Sequence, residues 1–370
     1  MNKLALALIL SLVIILAGCS NGISDSTGKS INTVEDKYVD VGAILMLTGP
    51  AANQGESSRR GAELAAREIN ENGGVNGKQI RIKYADTPSG DAKAAVSEMT
   101  KFLSEGTQIF LGPTWSNTAL AMSPIACDKK AIMISPTAGV EFNKECEYLF
   151  AMRPKDSETS YNFGKYIYSQ GHRKIAIMGT TQVWEDEQAK KVRDGFKDAG
   201  GDIVFFDLGK QFDKDYRPEA LKIKESNPDA VVFANTVGQQ ILAKRLRELG
   251  FDKQFYSVFI YEDTLKSHEG AMDGTIVVTD FNPTEKFITL FKQEYNVEPD
   301  VGSDNSYDAL MLIAESIRET KSEDTKVLAH YMNSVKRFNG ASGNFGFDND
   351  RRAIKSTKFQ VIENQKLKDI

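Results

Sequence analysis

Short apolar runs alternate twice along the chain with segments of helical periodicity, and this alternation limits the available folds more than any other feature. In the first series, residues 39–47, 80–84, 108–111 and 131–134 read as strands. Residues 56–70, a segment capped by Asp91 and running to about 103, and residues 116–127 read as helices. The second series has strands at 174–178, 202–206, 230–234, 254–259 and 276–279. Its helices fall at 157–169, 185–199, 218–225 and 239–249. Three more helices follow at 284–295, 303–319 and 324–337, and a short strand pair ends the chain near 345–347 and 355–362. Alternating βα units imply parallel sheets covered by helices on both faces. Two such series predict an α/β protein of two doubly wound lobes.

The N-terminus has a different grammar. Lys3 precedes a nearly unbroken apolar run over residues 4–16, and Leu16-Ala17-Gly18-Cys19 closes it. Small residues before a cut and a cysteine after it form a lipobox, whose cysteine thiol takes the diacylglycerol. As a helix, residues 4–17 would span roughly 21 Å, short of the roughly 30 Å hydrocarbon core. The segment therefore reads as a lipoprotein signal peptide, residues 1–18, and not as a spanning anchor. Residues 19–37, rich in Ser, Asn, Asp and Gly over 20–36, read as a flexible leash. The protein is expected outside the cytoplasm, held to a membrane by lipid on Cys19, in a periplasm or on an outer cell surface.

The full chain of 370 residues carries a formal charge of −5, which becomes −6 once Lys3 leaves with the signal peptide. This balance offers no electrostatic footprint for nucleic acid. With Cys19 lipidated, Cys127 and Cys146 remain of the three cysteines. In an oxidising compartment they form a disulfide or stay as two separate buried thiols, and the compartment favours the bond. Nothing in the pattern points to catalysis, a cofactor or a metal. His172, His268 and His330 are scattered, Gly112 and Gly139 make no phosphate loop, and Cys127 and Cys146 lack metal-ligand spacing. A monomer is expected.

In open parallel sheets, ligands sit outside the carboxyl ends of the strands. The loops at those ends are rich in hydroxyls, amides and aromatics: Thr48 to Gly55, Gly112 to Thr118, Ser135 to Gly139, Thr180 to Trp184, Asn235-Thr236 and Tyr261-Glu262-Asp263. Trp115 and Trp184, the two tryptophans, both fall there, as pocket walls or as core. Ser116 opens a helix. It reads either as an N-cap or as a hydroxyl beside the positive helix end, where a carboxylate would bind.

Several segments resemble branched-chain amino-acid binding proteins, the type I periplasmic solute-binding proteins of ABC importers. These are Val41 to Ile44 with Thr48-Gly49-Pro50, Gly61 to Ala65, Glu68-Ile69-Asn70 and Gly73-Gly74-Val75-Asn76-Gly77. Ile134 to Ala138, Tyr307-Asp308-Ala309 and Phe345-Gly346-Phe347-Asp348 continue the match. The resemblance implies two lobes joined by three crossovers, near Met152-Arg153-Pro154, Asp280 and Phe338-Asn339. Lobe 1 would comprise 38–152 plus 281–337, and lobe 2 would comprise 153–280 plus 338–370, with the ligand between them. It further implies that Ser116 binds the ligand carboxylate together with the loop Thr137 to Gly139. Gly139 occupies that loop's threonine position, leaving Thr137 to supply the hydroxyl. Trp184 is the implied aromatic wall and Gln54 a cleft-lining position. Trp115, Thr236 and Tyr261 complete the expected site. Amino-acid binders place a glutamate near position 259, where this chain has Phe259-Ile260. Glu262 or Asp263 would have to substitute, or the ligand carries no ammonium.

The implied function is solute capture for a membrane permease of an ABC importer, with a small amino acid, carboxylate or amide as ligand. The alternative is a sensor that presents its closed form to a chemoreceptor or a signalling kinase.

Overall fold

The structure, a computed structural model, describes residues 37–370. The expected signal peptide, Cys19 and residues 20–36 of the expected leash lie outside the described residues. Each expected strand of the first series forms. β1 (Tyr38–Leu45), β2 (Gln79–Asp86), β3 (Ile109–Leu111), β4 (Ile132–Ser135) and β5 (Leu149–Ala151) make a sheet of order β2-β1-β3-β4-β5, parallel throughout. Side chains alternate between its faces, as a strand's period of two requires. Val41, Ala43, Ile109, Leu111, Ile132 and Ile134 face one core, and Ile44, Phe110 and Met133 face the other.

Helices α1 (Ala52–Glu71), α9 (Glu285–Tyr295), α10 (Ser303–Thr320) and α11 (Thr325–Ser334) cover the first face. Helices α2 (Ala92–Ser104) and α3 (Ser116–Asp128) cover the second. Asp91 caps α2, its carboxylate accepting from the amides of Lys93 and Ala94 at 2.8 and 3.2 Å. Gly61 lets α1 approach α10, since a Cβ there would stand 1.9 Å from the Ser303 carbonyl oxygen. Cys127 and Cys146 are joined in a disulfide, Cα to Cα 6.0 Å, tying the end of α3 to the segment before β5.

The second sheet has the order β14-β13-β10-β9-β8-β6-β7. β6 (Lys174–Thr180), β7 (Asp202–Gly209), β8 (Ala230–Phe233), β9 (Gln254–Ser257) and β10 (Ile276–Thr279) are parallel. α4 (Asp156–Ser169) and α5 (Val183–Asp198) pack on one face through Phe163, Ile167, Val192 and Phe196. α6 (Arg217–Glu225) and α7 (Gln239–Glu248) pack on the other through Ile223, Leu242 and Leu246. A six-residue helix, α8 (Glu262–Ser267), follows β9.

The C-terminal segment differs from the expected strand pair. β11 (Phe338–Gly340) and β12 (Gly343–Phe345) pair with each other, while β13 (Lys358–Glu363) and β14 (Lys366–Asp369) form a second hairpin on the edge of β10. Phe338, Phe345, Phe347 and Ala353 are buried in the core of the first sheet. The expected third crossing near 338 is therefore displaced. Apolar packing keeps the chain with the first sheet through Ala353, and it joins the second only at β13.

Buried charges gather where the chain passes between the sheets. Arg153, just after β5, pairs with Asp280, just after β10, at 2.8 Å, and reaches Asp156 at 3.4 Å. Arg352, 1 % exposed, donates to the carbonyls of Pro154 at 2.9 Å, Val140 at 2.6 Å and Gly139 at 3.2 Å. Lys355 donates to Ser342 at 2.7 Å and to the Asn305 side chain, close to Asp304 and Asp308. Burial pushes the Asp304 carboxyl up to about 7, against the pull of Lys355.

A carboxyl held above its unfolded value binds its proton more tightly in the folded state. Its stabilising contribution is present at acid pH and is lost as pH rises from about 4 to 7. Asp304→Asn should therefore gain stability relative to the parent over that window, by a few kcal/mol at most at pH 7. Melting temperatures of both proteins across pH 4–8 measure this; parallel curves would contradict it.

Candidate ligand-binding site

Both sheets change winding direction once along the parallel strands, between β1 and β3 in one and between β6 and β8 in the other. The loops leaving those strands diverge and make a crevice. One cavity has walls from both crevices. Gln54, Thr114, Trp115, Ser116 and Thr137 line it from the first sheet's loops. Gln182, Trp184, Glu185, Thr236, Phe259 and Tyr261 line it from the second, and Arg153 lines it at the crossing. It holds about 350 Å³ of empty space, part of it open to solvent.

Seven of the nine sequence-predicted positions, Gln54, Trp115, Ser116, Thr137, Trp184, Thr236 and Tyr261, come together there. Gly139 and Glu262 do not line it. Gly139 is covered by the Trp184 indole, whose Nε1 donates to Asp156 at 2.7 Å. Glu262 turns away into an ion pair with Lys266 at 2.7 Å, and Asp263 is exposed, so neither brings charge to the cavity.

Ser116 is not an N-cap. Trp115 holds the cap position of α3, and the Ser116 hydroxyl oxygen accepts from the amides of Gly139 and Val140 at 3.2 and 3.4 Å. A hydroxyl whose oxygen accepts still has its proton to give. It stands beside the first-turn amides of α3, which have no intrahelical acceptors. Thr137 has less to offer than expected, because its hydroxyl donates to the Thr114 carbonyl at 2.6 Å. Gln54 is 4 % exposed and its Oε1 has no partner among the described residues.

Thr114, Arg153, Gln182, Glu185 and Phe259 were not among the predicted site residues. The most consequential is Glu185. It lies in the first turn of α5 and is 2 % exposed. The Thr236 amide donates to its Oε1 at 2.7 Å; the Thr236 hydroxyl also donates to Oε1, and the Thr180 hydroxyl donates to its Oε2. Burial pushes its carboxyl up, and these three hydrogen bonds pull it back in part. The aromatic walls interlock: Phe259 meets Trp184 edge-on at 5.9 Å and Tyr261 at 4.8 Å.

Residues 38–366 match the family model of periplasmic binding proteins. The chain belongs to that family. Among relatives, this periplasmic binding protein is 31% identical over 248 residues to the Leu/Ile/Val-binding protein of Citrobacter freundii. That alignment takes in 65% of each chain, so the match spans just under two thirds of the relative's length. Over 329 residues it is 26% identical to the leucine-, isoleucine-, valine-, threonine-, and alanine-binding protein of Pseudomonas aeruginosa, covering 86% of this chain and 87% of that one. A branched-chain amino acid transporter substrate-binding protein from Streptococcus pneumoniae, solved with isoleucine, has the same fold (TM-score 0.82, 23% identity, 90% of this chain and 98% of that one). So does an R. palustris solute-binding protein solved with benzoate (TM-score 0.82, 19% identity, 90% and 95%). No helix among the described residues is long and apolar enough to cross a membrane.

Gly139 is where the walls meet most tightly. A Cβ there would stand 1.9 Å from Asp156 Oδ2 and 2.2 Å from Trp184 Nε1. Gly139→Ala should force the loop off the indole and lower stability by about 1–3 kcal/mol. Chemical denaturation tests this; an unchanged midpoint and slope would show that the loop and the indole separate freely.

Proposed function

We propose that this chain is the solute-receiving lipoprotein of an ABC importer, holding a small carboxylate-bearing solute between its lobes and handing it to a membrane permease. The observation that carries this reading is a cavity walled by strand-end loops of both sheets, with Ser116 and the first turn of α3 on one wall and Trp184 on the other. The C. freundii relative is described as a Leu/Ile/Val-binding protein and the S. pneumoniae structure holds isoleucine, which supports an amino-acid-sized solute. Lobe 1 is taken as 38–152 with 281–353, lobe 2 as 153–280 with 358–370. The solute bridges them and favours the closed arrangement by its differential affinity.

The carboxylate is assigned to the Ser116 hydroxyl and the amides opening α3. The side chain is assigned to the walls of Trp115, Trp184 and Tyr261. A thermal-shift panel of amino acids and aromatic acids should yield a stabilising solute. Ser116→Ala and Trp184→Ala should each weaken its binding by about tenfold or more, the scale of one hydrogen bond to a charged group. Undiminished affinity in both variants would move the site elsewhere.

The lipobox supports tethering through Cys19 after removal of residues 1–18. Cys19→Ala should shift the protein from the membrane fraction to the soluble or uncleaved pool. Unchanged membrane retention as a mature-sized protein would refute the anchor.

A further inference from the structure

The acids that follow β9, Glu262 and Asp263, do not reach the cavity. The cavity nevertheless contains a carboxylate, on another element. Glu185 projects from the first turn of α5 into the same space. We propose that Glu185 is the counter-charge of this site and makes it select solutes whose carboxylate is accompanied by a cationic nitrogen.

Three observations carry this. First, Glu185 is held by hydrogen bonds and not neutralised. Its three donors are the Thr180 hydroxyl and the amide and hydroxyl of Thr236, all uncharged. A carboxylate has about four lone-pair sites, so one remains on Oε2. No ion pair reaches Glu185 among the described residues, and its charge opposes the ionisation of two phenols, Tyr216 and Tyr261.

Second, no cation lining the cavity is left over for Glu185. The cavity's one lining cation among the described residues is Arg153, and Asp280 and Asp156 already face it at 2.8 and 3.4 Å. Glu185 is surplus to that cluster. A buried carboxylate without a cation is costly, and an arriving ammonium removes the cost.

Third, the remaining lining suits a cation. Trp115, Trp184, Phe259 and Tyr261 supply aromatic faces. Gln54, on the opposite wall, offers an unpartnered acceptor oxygen. The carboxylate end stays with Ser116, so the two ends of a zwitterion meet opposite lobes.

The inference rests on the cavity being the solute site, and the experiment separates the two. Isothermal titration of the intact protein with the standard protein amino acids identifies those that bind. Each binder is then compared with its des-amino acid, for instance L-leucine with 4-methylpentanoate and L-phenylalanine with 3-phenylpropanoate. The parent should prefer the amino acid by at least ~30-fold, the lower range for a buried charge pair. Glu185→Gln keeps the shape and an acceptor for Thr236 but removes the charge. It should bring the ratio to within about threefold, by weakening the amino acid and not the des-amino acid. A purely structural Glu185 would instead weaken both ligands together. The ligand-free variant should melt no lower than the parent, because a buried unneutralised charge is gone.

Equal or tighter binding of the des-amino acids by the parent, a ratio unmoved in Glu185→Gln, or no binding of any amino acid overturns the proposal; the first and last of these need no variant to fold. If Ser116→Ala and Trp184→Ala leave affinity for a bound probe undiminished, the cleft reading itself fails. If they weaken it while the amino to des-amino ratio stays near one, only the role of Glu185 fails.

Discussion

Two guanidinium groups buried between the sheets hold the connections on which everything else depends. Arg153 joins the first crossing to the second through Asp280, 127 residues away in sequence. Arg352, near the third crossing, gathers the carbonyls of Gly139, Val140 and Pro154. A charge in such a place needs counter-charges or carbonyls around most of its donors, so it dictates where the backbone must pass. The loop carrying Thr137 and Gly139 and the start of α4 are thereby fixed to each other, and Trp184 is fixed in turn through Asp156. The cavity walls inherit their geometry from this cluster.

Much of the fold is legible in the sequence because parallel strands buried on both faces appear as short apolar runs between turn residues. β6, β8 and β10 are of this kind. What escapes is short or lacks its usual signature. β5 has three residues and α8 six, too few to show a period. The β13–β14 turn is Asn364-Gln365, with φ of 50° and 60°, where an Asn-Gly pair would have advertised the hairpin. The third crossing is misread because the apolar residues of 338–353 could pack on either sheet, and only tertiary contact decides between them.

At the site, loop position carries most of the information and side-chain roles carry less. Residues directly after strands converge because the topology brings strand ends together. Glu185 is overlooked because an acid in the first turn of a helix needs no special explanation; it complements the dipole wherever it points. Its burial and its bonds to Thr180 and Thr236 are properties of neighbouring strands, invisible from α5 alone. Ser116 is the converse case. Its type is right for a cap, but its hydroxyl serves the neighbouring loop instead.

The placement of the aromatic walls has an optical consequence. The chain has two tryptophans, one on each side of the same cavity. Indole emission from this protein therefore originates at one place, with no background from distant tryptophans. One of the two indoles sits against a carboxylate through its ring nitrogen and the other does not. The pair forms a built-in spectroscopic gauge of what occupies the space between them, readable without a dye.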